Sequence, residues 1–588
     1  MNTIICKGGI MNRTLLITIL FVFVADAAND SYRFMVVGDR TGGCVGGVFS
    51  EIIDEVTLYD PDFVMCVGDL IHGYTDDTLA LHAQWDTLIA IVEKLPCPFY
   101  FVAGNHDILN LTDRDIYEQR TGCERYYSFD HMNSHFIVLD NTMVYWNPPQ
   151  EMDEEQIAWL KSDLKKNKKA DNIFIFYHVP SYLYALQRNE EDPFMALFES
   201  HNVTTVFTGH HHTYSYLSHN GIEYINVGSS GGGIENHDMG RGNFFQYLHV
   251  SVRGTEQTIA VILKDNIYPR NVLTASDLLL VQRADTEVIS IDKFSATEGS
   301  KNITQRVSIK ITNFGPEGLV DTVSWDYDSS CYSILPSEIP MDVGSEEAKT
   351  YLASITLYDG SSVFPLPRFQ FRFTYSYANA CTLTGYLPVK RVQPSARVAT
   401  APSIDGILSE EIWRMVEPIR ELADFTGYPN TVVEKTELYT CHDEDNVYLG
   451  VRCFESSFDE MRTRALEHDS GTPWDDNLWF FFDPNNDRMT YYQMIVNSRG
   501  VIFDRECRVV DGESLKDLSW NGAWVARSGR EDSAWTLEIM IPKRQFLSYS
   551  ESEWGFNFRR LQTRLGDAAY WTLPFGHDPQ NFGSLKFE

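Results

Sequence analysis

Apolar residues fall into three patterns along the chain. Between residues 30 and 265, short unbroken apolar runs alternate with longer stretches of helical period. The runs Phe34–Val37, Phe63–Val67, Phe99–Ala103, Ile173–Tyr177 and Thr205–Thr208 have the continuity of strands buried on both faces. Helical periodicity predicts helices over Val48–Tyr59, Thr78–Lys94, Met152–Asn167 and Asp192–His201. After Gly209 strand patterns return, with an Asn220-Gly221 hairpin signal and a glycine-rich loop, Gly228–Ile234. That loop follows a strand with no helix behind it, so it reads as a flexible rim rather than a phosphate cradle. Residues 285 to 390 alternate with period two in Arg306–Ile311, Thr350–Leu357 and Gln370–Tyr375, which predicts a β-sandwich. Val392–Pro402 reads as a boundary before a last region.

Each of the five apolar runs ends on a group that can hold a metal: Asp39, Asp69, Asn105-His106-Asp107, His178 and His210-His211-His212. Chemistry in open α/β sheets gathers at the carboxyl ends of strands. Carboxylate, amide and imidazole brought to one edge are what a dinuclear metal centre requires. Thirteen of the sixteen histidines precede residue 250, which confines this chemistry to the first region.

Gly-Asp at Asp69, Gly-Asn-His-Asp from Asn105 to Asp107, the strand-end His178 and Gly-His-x-His at His210 and His212, in that order, resemble the calcineurin-like metallophosphoesterases over roughly residues 30 to 265. The resemblance implies two divalent or trivalent metal ions (Mn, Fe or Zn) bridged by Asp69. Asn105, His178 and His210 would complete one, while Asp39 and His212 would serve the other. His106 would stand beside a phosphoester substrate as the proton donor, oriented by Asp107. One position departs from the pattern: the usual Asp-x-His reads Asp39-Arg40-Thr41. Purple acid phosphatases also lack this histidine and use a Tyr three residues after the bridging Asp, where this chain has His72. His72 is a replacement ligand or a solvated loop residue. Arg40 is a phosphate contact or a salt-bridge partner.

Composition narrows the partners. Hydrophobic content of 43% in 588 residues describes a globular chain of several domains. A formal net charge of -34 argues against nucleic-acid polymers and anionic membranes. Lys7 and Arg13 precede the apolar stretch Leu15–Val24 and the small residues at Ala25 and Ala27, a secretory signal pattern too short to span a bilayer. The expected location is therefore periplasmic or extracellular, with no membrane span. Of ten cysteines, Cys331 and Cys381 fall in one β-rich region and could form a bridge after export.

Beyond the boundary, Ile404–Trp413, Asn446–Val451, Trp474-Asp-Asp, Phe482-Asp-Pro, Trp535–Glu538 and the closing Asn581–Leu585 resemble family 9 carbohydrate-binding modules. The resemblance implies a sugar clamped between aromatic rings, one at Trp474 and the other near Phe575. Trp479 stands where the family carries a sugar-bonding Glu. Eight of the twelve tryptophans lie here, as binding rings or as core. The expected order is a signal peptide (1–27), an α/β metallophosphoesterase sandwich of mixed sheets flanked by helices (30–270), a small β-sandwich (285–392) and a carbohydrate-binding-module-like β-sandwich (394–588). The leading expectation is an exported dimetal hydrolase of phosphate mono- or diesters, targeted to glycan. The alternative is a carbohydrate-binding protein of polysaccharide degradation whose phosphoesterase domain is degenerate. A glycoside hydrolase is a third reading, but no carboxylate pair can be assigned to it.

Overall fold

The computed structural model describes residues 31–588 apart from Asp76, 143–151, 376–378 and Asp511. The expected signal peptide lies outside the described residues. Two compact units emerge, one of residues 1–284 with 373–382 and one of 285–372 with 383–588. Among the described residues no helix is long and apolar enough to cross a membrane.

The first unit contains two six-stranded sheets. In the first, β1 (Ser31–Val37), β2 (Phe63–Cys66) and β3 (Phe99–Tyr100) run parallel, with Phe34 beside Phe63 and Val64 beside Phe99. In the second, β4 (Tyr127–His131) precedes the parallel strands β5 (Ser134–Val138), β6 (Asn172–Phe176) and β7 (Val203–Thr208); β8 (Tyr214–His219) and β9 (Ile222–Val227) complete it. The strands β10 (Tyr247–Arg253), β11 (Glu256–Leu263) and β12 (Asn266–Pro269) extend the first sheet beyond β1. Between the sheets lies an aromatic layer: the Phe34 ring is 5.4 Å from both Phe136 and Phe174 and 6.3 Å from Phe207. Burying each such ring contributes about 1.5–3 kcal/mol. This packing clamps the two sheets so that β1, β2, β3, β6 and β7 deliver their carboxyl ends to one site.

The expected helices form at Val48–Leu58, Thr78–Val92, Glu154–Lys166 and Pro193–Glu199. The last three start on carboxylate caps, since Asp77, Asp153 and Asp192 each accept backbone N–H bonds from the first turn, whereas the first starts at Gly47 with no side-chain cap. A helix at Leu111–Thr121 carried no apolar stripe in the sequence, because only Asp113, Ile116 and Tyr117 are buried. Cys331 is a free thiol, so the expected Cys331–Cys381 bridge is not formed.

In the second unit, short antiparallel sheets built on Ile303–Thr312 with Ala348–Leu357 and on Leu319–Asp326 with Glu338–Val343 form the anticipated small sandwich. The last region is one thirteen-stranded sheet whose two halves close on a shared core. That core joins Val447, Leu449 and Leu537 to Phe480, Phe558, Trp535, Trp554 and Trp571. The expected boundary near residue 393 falls inside a strand. Val389–Arg397 pairs in parallel with the closing strand Gly583–Phe587, so the final sandwich begins upstream of Pro394.

Candidate metal centre

Parallel strands bring the ligand-bearing loops together, and glycines let them meet. A Cβ at Gly68 would lie 2.7 Å from the His178 ring, and one at Gly209 would lie 2.3 Å from Asp39 Oδ1. Glycine before Asp69 and before His210 is thus demanded by close approach. Asp69, His210 and His212 themselves adopt positive φ (55°, 73° and 52°), a costly conformation for residues with side chains.

Two groups of ligands result, and they share one carboxylate. Asp69, His178 and His210 form the first; Asp39, Asp69 and His212 form the second. Asn105 joins the first group, its Oδ1 lying 3.0 Å from His178 Nε2 and 2.8 Å from His210 Nδ1. His178 Nε2 is 3.1 Å from Asp69 Oδ2, and His212 Nε2 is 3.4 Å from Asp39 Oδ2. The outer ring nitrogens are oriented by backbone carbonyls: His178 Nδ1 by Val67 (2.8 Å) and His212 Nδ1 by Gly233 (2.6 Å). Such carbonyl contacts fix which ring nitrogen faces a metal.

The electrostatics call for a cation. Burial pushes Asp39 well above the usual carboxylate range, and the charge of Asp69 adds to that. Burial also opposes ionisation of Asp69, but His178 and His106 overcome it and hold this group down at about 2. Burial would lower His178, yet Asp69 and Asp39 raise it to about 9. His210 is pushed down to about 3 by burial and by His178, which leaves it as the neutral imidazole a metal accepts. Asp39 Oδ1 is buried with no hydrogen-bond partner among the described residues. An orphaned oxygen on a buried carboxylate whose other oxygen meets His212, an imidazole that burial keeps from charging, fits a divalent ion.

Three expected residues behave differently from their reading in the sequence. Asp107 does not orient His106. Its Oδ1 accepts the N–H groups of Leu70 and Ile71 and its Oδ2 that of Gly104, so it fixes the backbone around Asp69; burial and Asp69 push it up to about 7 against those bonds. The ring of His106 is set instead by the carbonyl of His72, 2.7 Å from Nδ1. His72 joins neither ligand group: its Nδ1 contacts the hydroxyl of buried Thr41 at 2.9 Å, the very residue that replaces the usual histidine. Arg40 donates to the Leu70 carbonyl at 2.5 Å and stacks over Phe49, and among the described residues it has no carboxylate partner. Tyr74 was not anticipated. Its hydroxyl accepts from Asn105 Nδ2 at 2.9 Å, turning Oδ1 toward the histidines, and its ring edge meets His106 at 4.5 Å. No local pattern marks it, since it acts from a loop.

The glycine-rich loop is a support and not a rim. Gly228–Gly232 is buried, and a Cβ at Gly232 would lie 2.3 Å from the Thr41 carbonyl and 2.7 Å from His212 Cε1.

Residues 32–214 match the sequence profile of the calcineurin-like phosphoesterases. The first unit carries a calcineurin-like metallophosphoesterase domain. A serine/threonine-protein phosphatase of Danio rerio, CPPED1, is 25% identical over 181 residues, covering 28% of this chain and 58% of that protein. A probable cyclic nucleotide phosphodiesterase of Psychrobacter arcticus is 21% identical over 182 residues, 29% of this chain and 63% of its own length. The chain thus spans about six tenths of the length of these curated relatives. Among solved structures, a dimetal phosphatase from Danio rerio is 14% identical with a TM-score of 0.30, over 41% of this chain and 96% of its own. A family 9 carbohydrate-binding module from Caldicellulosiruptor kristjanssonii in complex with glucose is 15% identical with a TM-score of 0.25, over 34% of this chain and 95% of its own. The metallophosphoesterase domain holds both ligand groups.

Outside it, His468, Asp469 and Asp504 also lie close together, but Asp504 is already engaged by Trp524 Nε1 at 2.6 Å. Trp474 is 72% exposed on a short 3-10 turn, whereas Trp413, Trp524, Trp535, Trp554 and Trp571 are core.

Proposed function

We propose that this protein is a dimetal hydrolase of phosphate mono- or diesters, exported and tethered to glycan by its C-terminal sandwich. The observation that carries the reading is the pair of ligand groups sharing Asp69, with the unpartnered Asp39 Oδ1 between strands that converge there. Asn105, His178, His210 and Asp69 would hold one ion; Asp39, Asp69 and His212 would hold the other. When bound, such ions supply the positive charge that polarises a phosphoryl group and acidifies water.

The remaining work falls to this chain's own residues. Because His106 Nδ1 faces the carbonyl of His72, that nitrogen carries the proton of the neutral ring. The protonated ring then presents its second N–H at Nε2, toward the gap bounded by Gly42, where a leaving oxygen can take it. Asp107 and Tyr74 keep Asp69 and Asn105 in place. The exposed Trp474 supports the tether, since an indole stacks on the C–H face of a sugar. The leader-like pattern before residue 28 supports export.

Turnover of chromogenic phosphate mono- and diesters by the full chain, with and without added Mn, Fe or Zn, tests the enzyme reading. Hydrolysis that requires metal is expected. Absence of turnover with every ester and every metal would leave the domain a non-catalytic fold.

A further inference from the structure

We propose that the outer face of the C-terminal sheet around Trp479 binds an acidic saccharide, whose carboxylate or sulfate is held by Arg505 and Arg559. This deepens the glycan-tethering part of the proposed function and rests on it.

The face is set by register. The strands Ile502–Val510, Thr490–Asn497, Asn477–Asp483 and Glu553–Gln562 lie side by side. Arg505 is opposite Gln493, Gln493 is beside Phe481, and Phe481 is beside Asn557. The next row reads Phe503, Ile495, Trp479, Arg559 and Tyr570. Residues in direct register share a face, and their neighbours Phe480, Phe482, Met494 and Phe558 turn into the core. On the outer side Phe481, Gln493, Ile495 and Asn557 are themselves buried, Phe481 packing against Phe575 and Phe582, so the half-buried Arg505, Trp479 and Arg559 are what the face presents. The exposed Trp474 stands at one edge, because Asn477 Nδ2 donates to the carbonyls of Thr472, Pro473 and Asp475.

The charge on this face is uncompensated. Arg452, Arg560 and Arg564 of the same sandwich each pair with a glutamate. Among the described residues Arg505 and Arg559 pair with no carboxylate. Arg505 Nε donates to Gln493 Oε1 at 2.6 Å and its Nη2 meets His577 Nε2 at 3.3 Å. The Arg559 guanidinium lies 3.7 Å over the Trp479 ring and 5.8 Å from that of Phe575. Lys516, in register with Cys507, adds a third cation. Burial, with Lys516 and Arg505, pushes His577 down to about 4, so it contributes no charge near neutrality. The carboxylate at the far end, Asp483, is occupied by the N–H groups of Asp487 and Arg488.

Hydrogen bonding is uneven in the same sense. Among the described residues Arg559 Nε and Trp479 Nε1, on half-buried side chains, and Gln493 Nε2 and Asn557 Nδ2, on fully buried ones, are donors without acceptors, against one acceptor without a donor, Asn477 Oδ1. A surplus of donors and cations beside aromatic rings suits a ligand with acceptors, negative charge and apolar C–H faces. A neutral sugar would leave both guanidiniums unpaired, and a bare anion would leave the rings unused. A uronate or a sulfated sugar satisfies both.

Calorimetric titration of the full chain with polygalacturonate against its methyl ester, and with dextran sulfate against dextran, tests this. The expected result is that at least one acidic polymer binds roughly tenfold or more tightly than its neutral counterpart, with affinity falling as salt rises. The variants R505Q and R559Q should each weaken that binding about tenfold at unchanged melting temperature. Equal binding of acidic and neutral forms in both pairs, or acidic binding untouched by both substitutions, would overturn the proposal. Should either variant misfold, the paired polymers on the unaltered chain still decide. Phosphoester turnover on the same samples keeps the readings apart, because its loss would leave the polymer result standing.

Discussion

The metal centre of the first unit and the outer sheet face of the second are built with opposite imbalances. In the first, Asp39, Asp69 and Asp107 are buried together, and one oxygen of Asp39 has no donor among the described residues. In the second, among the described residues Arg505 and Arg559 have no carboxylate, and four N–H donors without an acceptor outnumber the one orphaned acceptor, Asn477 Oδ1. A folded chain leaves few buried polar groups unsatisfied, so each residue of imbalance indicates the sign of the missing partner. The first calls for cations and the second for an anion. Both occur in a chain of net charge -34, so local arrangement decides what binds where.

The sharpest way to break this comparison is at the shared carboxylate. Asp69→Asn removes charge from both ligand groups, and metal affinity should fall roughly 10²-fold or more, beyond the usual effect of an outer-sphere change. Equilibrium dialysis at limiting metal measures it, and undiminished binding would detach Asp69 from the centre. Next is His106→Ala, whose side chain belongs to neither ligand group and which keeps the backbone N–H that donates to Asp69 Oδ1. Metal should remain while turnover falls about 10²-fold. Metal loss in that variant would move His106 among the ligands.

Gly232→Ala should have a smaller, structural effect. Its Cβ would press on the Thr41 carbonyl and the His212 ring, costing about 1–3 kcal/mol of stability and loosening the second ligand group. Thermal unfolding with and without metal would reveal both, and an unchanged melting curve would show that the loop yields freely. The smallest stability change is expected for Trp474→Ala. This exposed ring should cost no more than about 0.5 kcal/mol, while glycan binding weakens. A cost near that of a core tryptophan, about 3–5 kcal/mol, would return Trp474 to a packing role.

The two sites also differ in how visible they are in the sequence. The metal ligands follow apolar strands directly, so Gly-Asp at Asp69 and Gly-His at His210 are local signals of strand ends. What escaped was tertiary: that His72 would contact Thr41 and lend its carbonyl to His106, that Asp107 would face backbone amides, and that Tyr74 would hold Asn105. None of these contacts has a characteristic spacing. The outer face left almost no trace, because its members are alternate residues on separate strands. Arg505, Gln493, Phe481 and Asn557 become neighbours only through cross-strand register. The small sandwich was legible from its period-two alternation. The final boundary was misplaced because Pro394 interrupts the pattern inside a strand that nonetheless pairs with Gly583–Phe587.

The most direct test of the central claim is a metal titration of the unaltered, metal-stripped chain, with bound ion counted by mass spectrometry and diester turnover followed on the same samples. Shared ligation by Asp69 predicts that binding saturates at two ions per chain and that turnover appears as the second site fills. Saturation at a single ion with full turnover, or full turnover with no metal bound, would contradict it.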